Sequence, residues 1–153
     1  MRDIKFRGKE IDTGKWVFGF YLEQDICNMG SKNTKRDLLI KDAGVIVQNS
    51  KCNSGTVIDK KTIGQYTGLK DENGKEIYEG DIIEFSYDMF IGNFNTFIAK
   101  GKVIFEEGAF YVEVFENERT TKDEAYLLYS INLDTIELMG NIYDNLELLE
   151  EKE

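Results

Sequence analysis

Residues 97–115 read FIAKGKVIFEEGAFYVEVF, and this stretch decides the fold. Ile98, Val103 and Phe105 lie on one arm and Phe110, Val112 and Val114 on the other, with Glu106-Glu107-Gly108 as the turn between them. β-Branched and aromatic residues on both sides of a glycine-containing turn describe a β-hairpin. Working back from it, Asn73-Gly74 is a type I′ turn signal, and Ile77-Tyr78-Glu79-Gly80 leads into Asp81 to Tyr87, where Ile83, Phe85 and Tyr87 recur at a spacing of two. A strand begins at Asp81, with Gly80 where bulk or φ is restricted and Asp81 bonding nearby backbone N–H groups. Working forward, Thr120 to Glu124 reads as the cap of a short helix, while Tyr126-Leu127-Leu128-Tyr129 reads equally as a strand. Thr135 to Met139 reads as a last strand. Asp144 offers an N-cap for a terminal helix, Asn145 to Glu151, with Leu146 and Leu149 on its core side.

The amino-terminal part has the same grammar. Lys5 to Glu10 and Trp16 to Leu22 flank Asp12-Thr13-Gly14-Lys15 and read as a hairpin. In its second arm Trp16, Phe18, Phe20 and Leu22 share one face and Val17, Gly19 and Tyr21 the other, one face being core and the other half buried. Glu23 to Arg36 reads as a loop. Short apolar runs at Leu38-Leu39-Ile40, Val45-Ile46-Val47, Thr56-Val57-Ile58 and Thr62 to Tyr66 are strand-length pieces. The whole is mainly β: a β-rich part over residues 1–70 and an SH3-like barrel or roll over 71–153, with separate cores or one shared core, ending in a short helix.

Composition removes much chemistry. The 153 residues include no His and no Pro, which excludes Ser-His-Asp and Cys-His catalysis, histidine metal ligation and a histidine pH switch. Hydrophobic residues at 41% and aromatics at 12% suffice for a packed core. Cys27 and Cys52 are isolated thiols, with the spacing of neither a zinc site nor a redox pair. No run approaches the roughly 18 apolar residues of a membrane span, so the cytoplasm is the expected compartment and no membrane partner is expected.

Charge is uneven along the chain. Nineteen Lys and Arg against 29 Asp and Glu give a net −10, which disfavours non-specific nucleic-acid binding. Met1 to Lys70 carries +5, Asp71 to Phe105 −4, and Glu106 to Glu153 −11. Such polarity brings the amino-terminal part of one subunit toward the carboxy-terminal part of another or of itself, or presents an acidic face to a basic partner, and a solvated, solubilising surface accounts for the same charges.

Three stretches also read together: IKFRGKEIDTGKWVFGF at Ile4 to Phe20, IGQYTGLKDENGKEIYEGDIIEF at Ile63 to Phe85, and IELMGNIYDNLELL at Ile136 to Leu149. In order and separation they resemble the YopX family of phage and prophage proteins. This chain has Leu146 where that family usually places a proline before Glu-Leu-Leu, which bears on the start of the terminal helix. The resemblance implies a mostly β protein with an SH3-type carboxy-terminal part, encoded on a phage or prophage. It implies no catalytic residues.

Two constellations are candidates for chemistry. Asp71, Glu79 and Asp81, within an acidic series that includes Glu72, Glu76, Glu84 and Asp88, offer oxygen ligands for Mg²⁺ or Ca²⁺. The EF-hand pattern fails, since its fifth position is Lys75 and its glycine comes too early, and a turn followed by a solvated strand explains the same residues. Gly68 to Lys75 fails as a phosphate loop, one residue too long and with Glu76 in place of Ser or Thr. The second constellation is a candidate binding face of Arg7, Lys9, Lys15, Trp16 and Tyr21, where cations interleave with rings as single-stranded nucleic acid requires. A buried hairpin face backed by a basic solvent face accounts for the same residues. The expectation is a non-enzymatic binding or assembly protein without cofactor, acting as a homo-oligomer or on a host or phage protein. The alternatives are a nucleic-acid-binding accessory protein, an acidic inhibitor of a host DNA-binding protein and, third, a carboxylate-metal enzyme.

Overall fold

The first chain reversal in the computed structural model, which describes residues 3–22, 43–47, 55–91, 93–115 and 125–149, is made at Gly14, whose φ of 68° suits a residue without Cβ. Gly14 N–H donates to the Glu10 carbonyl (2.8 Å) and Glu10 N–H to that of Lys15 (2.9 Å), joining β1 (Phe6–Lys9) to β2 (Trp16–Leu22) from Phe6↔Gly19 to Lys9↔Trp16. β3 (Ala43–Val47) pairs with β2, β4 (Thr56–Asp59) with β3, and β5 (Gly64–Lys70) takes the other side of β1, all antiparallel. A Glu10↔Ile58 bridge returns β4 to the end of β1, so this sheet curls.

The curl selects which face is inside. Ile46 and Ile58 are fully buried, and Ile58 lies so close over Gly8 that a Cβ there would fall 2.4 Å from its Cδ1. Tyr21 sits over Gly44 in the same way, at 2.5 Å, and stacks with Phe6 at 5.8 Å between centroids. The inner side of β2 is therefore the one carrying Val17, Gly19 and Tyr21.

The chain divides into two compact units, Met1–Tyr66 and Thr67–Glu153. In the second, β6 (Glu76–Tyr78) precedes β7 (Asp81–Ile91), β8 (Asn93–Glu106), β9 (Ala109–Val114), β10 (Ala125–Leu127) and β11 (Glu137–Asn141). The last five make an antiparallel sheet in the order β10-β9-β8-β7-β11. β8 and β9 are the hairpin of residues 97–115, joined through Glu107 (φ 48°) and Gly108 (φ 85°), both left-handed as a two-residue I′ connection requires. Val103, Phe110, Val112 and Val114 turn into a core shared with Ile77, Ile83, Phe85, Leu128 and Ile136. Ile98, on the same arm as Val103, faces the other way and is 70% exposed. Cross-strand ion pairs Glu84–Lys100 (3.2 Å) and Lys102–Glu113 (2.6 Å) occupy the outer face.

Three local expectations change and one open reading is resolved. At Asn73-Gly74 Gly74 takes positive φ (79°) and Asn73 does not, so the turn is not type I′. Asp71 is the reason: its Oδ1 accepts the N–H groups of Asn73 (2.9 Å) and Lys75 (2.8 Å), which holds a longer turn closed by Asp71 N–H to the Lys75 carbonyl. Residues 125–127 are strand, followed by a 3-10 turn at Leu128–Ser130. The last strand starts at Glu137 because Leu133–Thr135 is a 3-10 turn whose Thr135 hydroxyl donates to the Asn132 carbonyl and accepts from Ser86 N–H. The terminal helix is one 3-10 turn, Leu146–Leu148, with Asn145 rather than Asp144 before it, and it leaves Leu146 (61%) and Leu149 (38%) exposed. The Asp144 carboxylate accepts from Asn141 instead of capping that turn. The loop at Glu23 to Arg36, the run Leu38–Ile40, Thr120 to Glu124, Cys27 and Cys52 lie outside the described residues. Among the described residues no helix is long and apolar enough to cross a membrane.

Candidate functional site

Among the described residues, the outer face of β2 departs from an ordinary surface. Residues at alternate positions of a strand emerge on one side, about 7 Å apart. On this side Phe18 is 47% exposed, Phe20 57% and Leu22 50%, with Val57 of β4 at 37%. One end of the row is basic. Directly opposed residues share a face, so Lys9 pairs with Trp16 and Arg7 with Phe18 on this side. The Arg7 guanidinium lies 4.6 Å from the Trp16 ring centroid, Lys9 Nζ 5.4 Å from the same ring, and Lys5 Nζ 4.7 Å from that of Tyr66. These are cation–π distances.

The five candidate binding residues thus separate. Arg7, Lys9 and Trp16 come together, with Arg7 only 6% exposed. Tyr21 belongs to the opposite, inner face, and Lys15 sits at the hairpin loop, where its N–H donates to Thr13 Oγ1 (3.2 Å). The ring best suited to stacking a base already carries two cations. The surface residues missed in the sequence are Phe20 and Leu22. Gly8 and Gly44 were the available signal, because glycines on one side of a curling sheet mark where neighbours close in.

The carboxylates are differently employed. Asp71 spends Oδ1 on two turn amides, and Asp81, 1% exposed, accepts the Tyr78 N–H at 2.8 Å. Glu79 occupies the connection between β6 and β7. Among the described residues no group of three or more Cys, Asp or Glu side chains is arranged to hold a metal ion.

Gly80, between Glu79 and Asp81, links two distant stretches. Its N–H donates to the Val103 carbonyl (2.9 Å) and its carbonyl accepts from Ile142 N–H (3.0 Å). With φ at 82° and Tyr143 3.2 Å from where a Cβ would stand, the position is restricted twice over. The partner segment is itself tightly bonded: Asn141 Oδ1 accepts from Tyr143 and Asp144 N–H, and Asn145 Oδ1 accepts from Asn141 N–H. Asn145 Nδ2 also donates to Glu147 Oε1 (3.0 Å), which holds that carboxyl below the usual glutamate range.

No curated protein matches the chain. Among solved structures it is similar to the crystal structure of protein EF1440 from Enterococcus faecalis, at 22% identity and a TM-score of 0.50 over 98% of this chain and 100% of that one, a likeness of fold. The family model described as YopX protein matches residues 5–150, which takes in the basic hairpin, the Gly80 turn and the Asn141 segment that bonds to it; the chain belongs to the YopX family.

Proposed function

We propose that this protein is a phage- or prophage-encoded binding and assembly protein that performs no chemistry of its own and acts as a homo-oligomer in the cytoplasm of a bacterial host. The observation that carries this reading is the exposed row Phe18, Phe20 and Leu22 on β2. Contiguous apolar surface rimmed by charge marks an interaction site, since leaving it in water forfeits about 25 cal/mol for every Å². The charge polarity of the chain supports contact between copies. A nucleic-acid role retains one favourable feature, the basic row Lys5, Arg7 and Lys9, though each of these cations lies over a ring that a base would need.

Light-scattering mass after size exclusion, at low and high salt and with short mixed-sequence DNA in a parallel low-salt run, tests the reading. One defined oligomer that ignores the DNA is the expected result. A monomer at every concentration overturns it, and a monomer that co-elutes with DNA replaces it with the nucleic-acid role.

A further inference from the structure

Asn73-Gly74 is the only Asn-Gly pair in the sequence. In such a pair the glycine backbone nitrogen can attack the asparagine side-chain carbonyl carbon, because no Cβ on the glycine hinders the approach. A C–N bond forms to Cγ, the nitrogen's proton passes through water to the leaving group, and ammonia departs. Water then adds to either carbonyl of the cyclic imide and opens it to aspartate or isoaspartate, with no gain or loss of electrons. Both residues are exposed, and nothing lies within 4 Å of where a Cβ on Gly74 would stand, so crowding does not bar the attack. The restraint comes from Asp71. Gly74 N–H donates to the Asp71 carbonyl (2.9 Å), while Asn73 N–H (2.9 Å) and Lys75 N–H (2.8 Å) donate to Asp71 Oδ1. The attacking nitrogen therefore keeps its proton in a hydrogen bond, and the peptide planes on both sides of Asn73 are fixed.

We infer that Asn73 is the position at which this chain modifies itself, by loss of its side-chain ammonia, and that Asp71 sets the rate by holding the Gly74 nitrogen in the turn. Asp71 is suited to this because it is 6% exposed and stays in place while the residues it restrains lie at the surface. The reaction proceeds from the minority of molecules in which the turn over 71–75 is open, so its rate follows that local opening rather than unfolding of the whole chain. The product matters to the fold. It adds a negative charge beside Asp71 and Glu72, and isoaspartate also lengthens the main chain of a turn closed by Asp71 N–H to the Lys75 carbonyl (2.8 Å). Glu72 N–H within that turn donates to the carbonyl of Ile136 (3.0 Å), a fully buried member of the second unit's core, so the modification loosens an attachment of that core.

The test is peptide mapping by mass spectrometry of the full chain during incubation at mildly alkaline pH, reading position 73 as asparagine, aspartate or isoaspartate. The same chain unfolded in urea and two variants are followed in parallel. Conversion at position 73 is expected to be at least about tenfold slower in the folded protein than in urea, and Asp71→Ala to regain most of that factor. Asp71→Asn, which keeps an acceptor oxygen in the same place, is expected to stay slow. Both variants are compared at a temperature where circular dichroism shows them folded. Amide hydrogen exchange at Gly74 in the unaltered protein gives a reading that needs no variant: this exposed amide is expected to exchange at least about tenfold more slowly than in the unfolded chain. Equal conversion in the folded and unfolded protein, an Asp71→Ala variant as slow as the unaltered chain, or an unprotected Gly74 amide would overturn the role given to Asp71. Conversion centred on another asparagine would overturn the choice of Asn73.

Discussion

Gly14 and Gly80 both adopt left-handed backbone, at φ 68° and 82°, but only Gly80 has a neighbour where a Cβ would go. Gly14→Ala should therefore cost only the backbone strain, about 1 kcal/mol, whereas Gly80→Ala should cost about 2–3 kcal/mol once Tyr143 must also move. Denaturant unfolding of the two variants side by side checks the order, and equal costs would remove Tyr143 from the account. Asp71→Ala should cost about 1–3 kcal/mol by leaving the Asn73 and Lys75 amides without their acceptor. Glu147 offers a titration test. Its carboxyl is held low by the Asn145 amide, so whatever this bond contributes is present above the unfolded-state value and fades as pH falls through the folded one. The side chain is fully exposed, and the measurement is the titration itself: carbon-detected NMR should place the Glu147 midpoint below other exposed glutamates, and Asn145→Ala should move it up.

At the scale of the element, β2 shows what periodicity can and cannot decide. Alternation of Trp16, Phe18, Phe20 and Leu22 with Val17, Gly19 and Tyr21 identifies two faces, yet apolar content does not say which is inside. The inside is fixed by Ile58 and Tyr21 approaching Gly8 and Gly44, contacts between residues far apart in the chain. The β8–β9 hairpin was legible because its register, its turn and its core face all lie within nineteen residues. The terminal segment was not, because Asn141 draws the side chains of Asp144 and Asn145 into its own loop and leaves the following turn without a cap. The candidate site was half legible: Arg7, Lys9 and Trp16 meet, while Tyr21 falls on the other side. A pair of substitutions measures the assignment of faces. Phe20→Ala should change stability by no more than about 0.5 kcal/mol under conditions where the chain is monomeric, and Ile46→Ala should cost about 2–5 kcal/mol; similar costs would mean that the outer row is covered.

For the molecule as a whole, salt should act in two opposed directions. The second unit carries −14 over 87 residues, and screening its self-repulsion should raise its thermal midpoint as salt is added. The same screening should loosen the contact between copies, so mass by light scattering should fall as the midpoint rises. Both quantities moving together would mean that the assembly, rather than the fold, dominates the melting curve. The bond between Gly80 and Ile142 bears on the molecule's history as well as its stability. β7 receives its outer neighbour, β11, only from residues 137–141, with β8, β9 and β10 already made in between. On the ribosome, a nascent chain that has emerged as far as β10 therefore presents one bare strand edge and an unroofed core at Ile83, waiting for Leu138 to arrive. The chain must hold that edge out of reach of its neighbours for as long as translation takes to supply the missing strand, and on a polysome those neighbours are copies of itself at shorter and longer stages of synthesis.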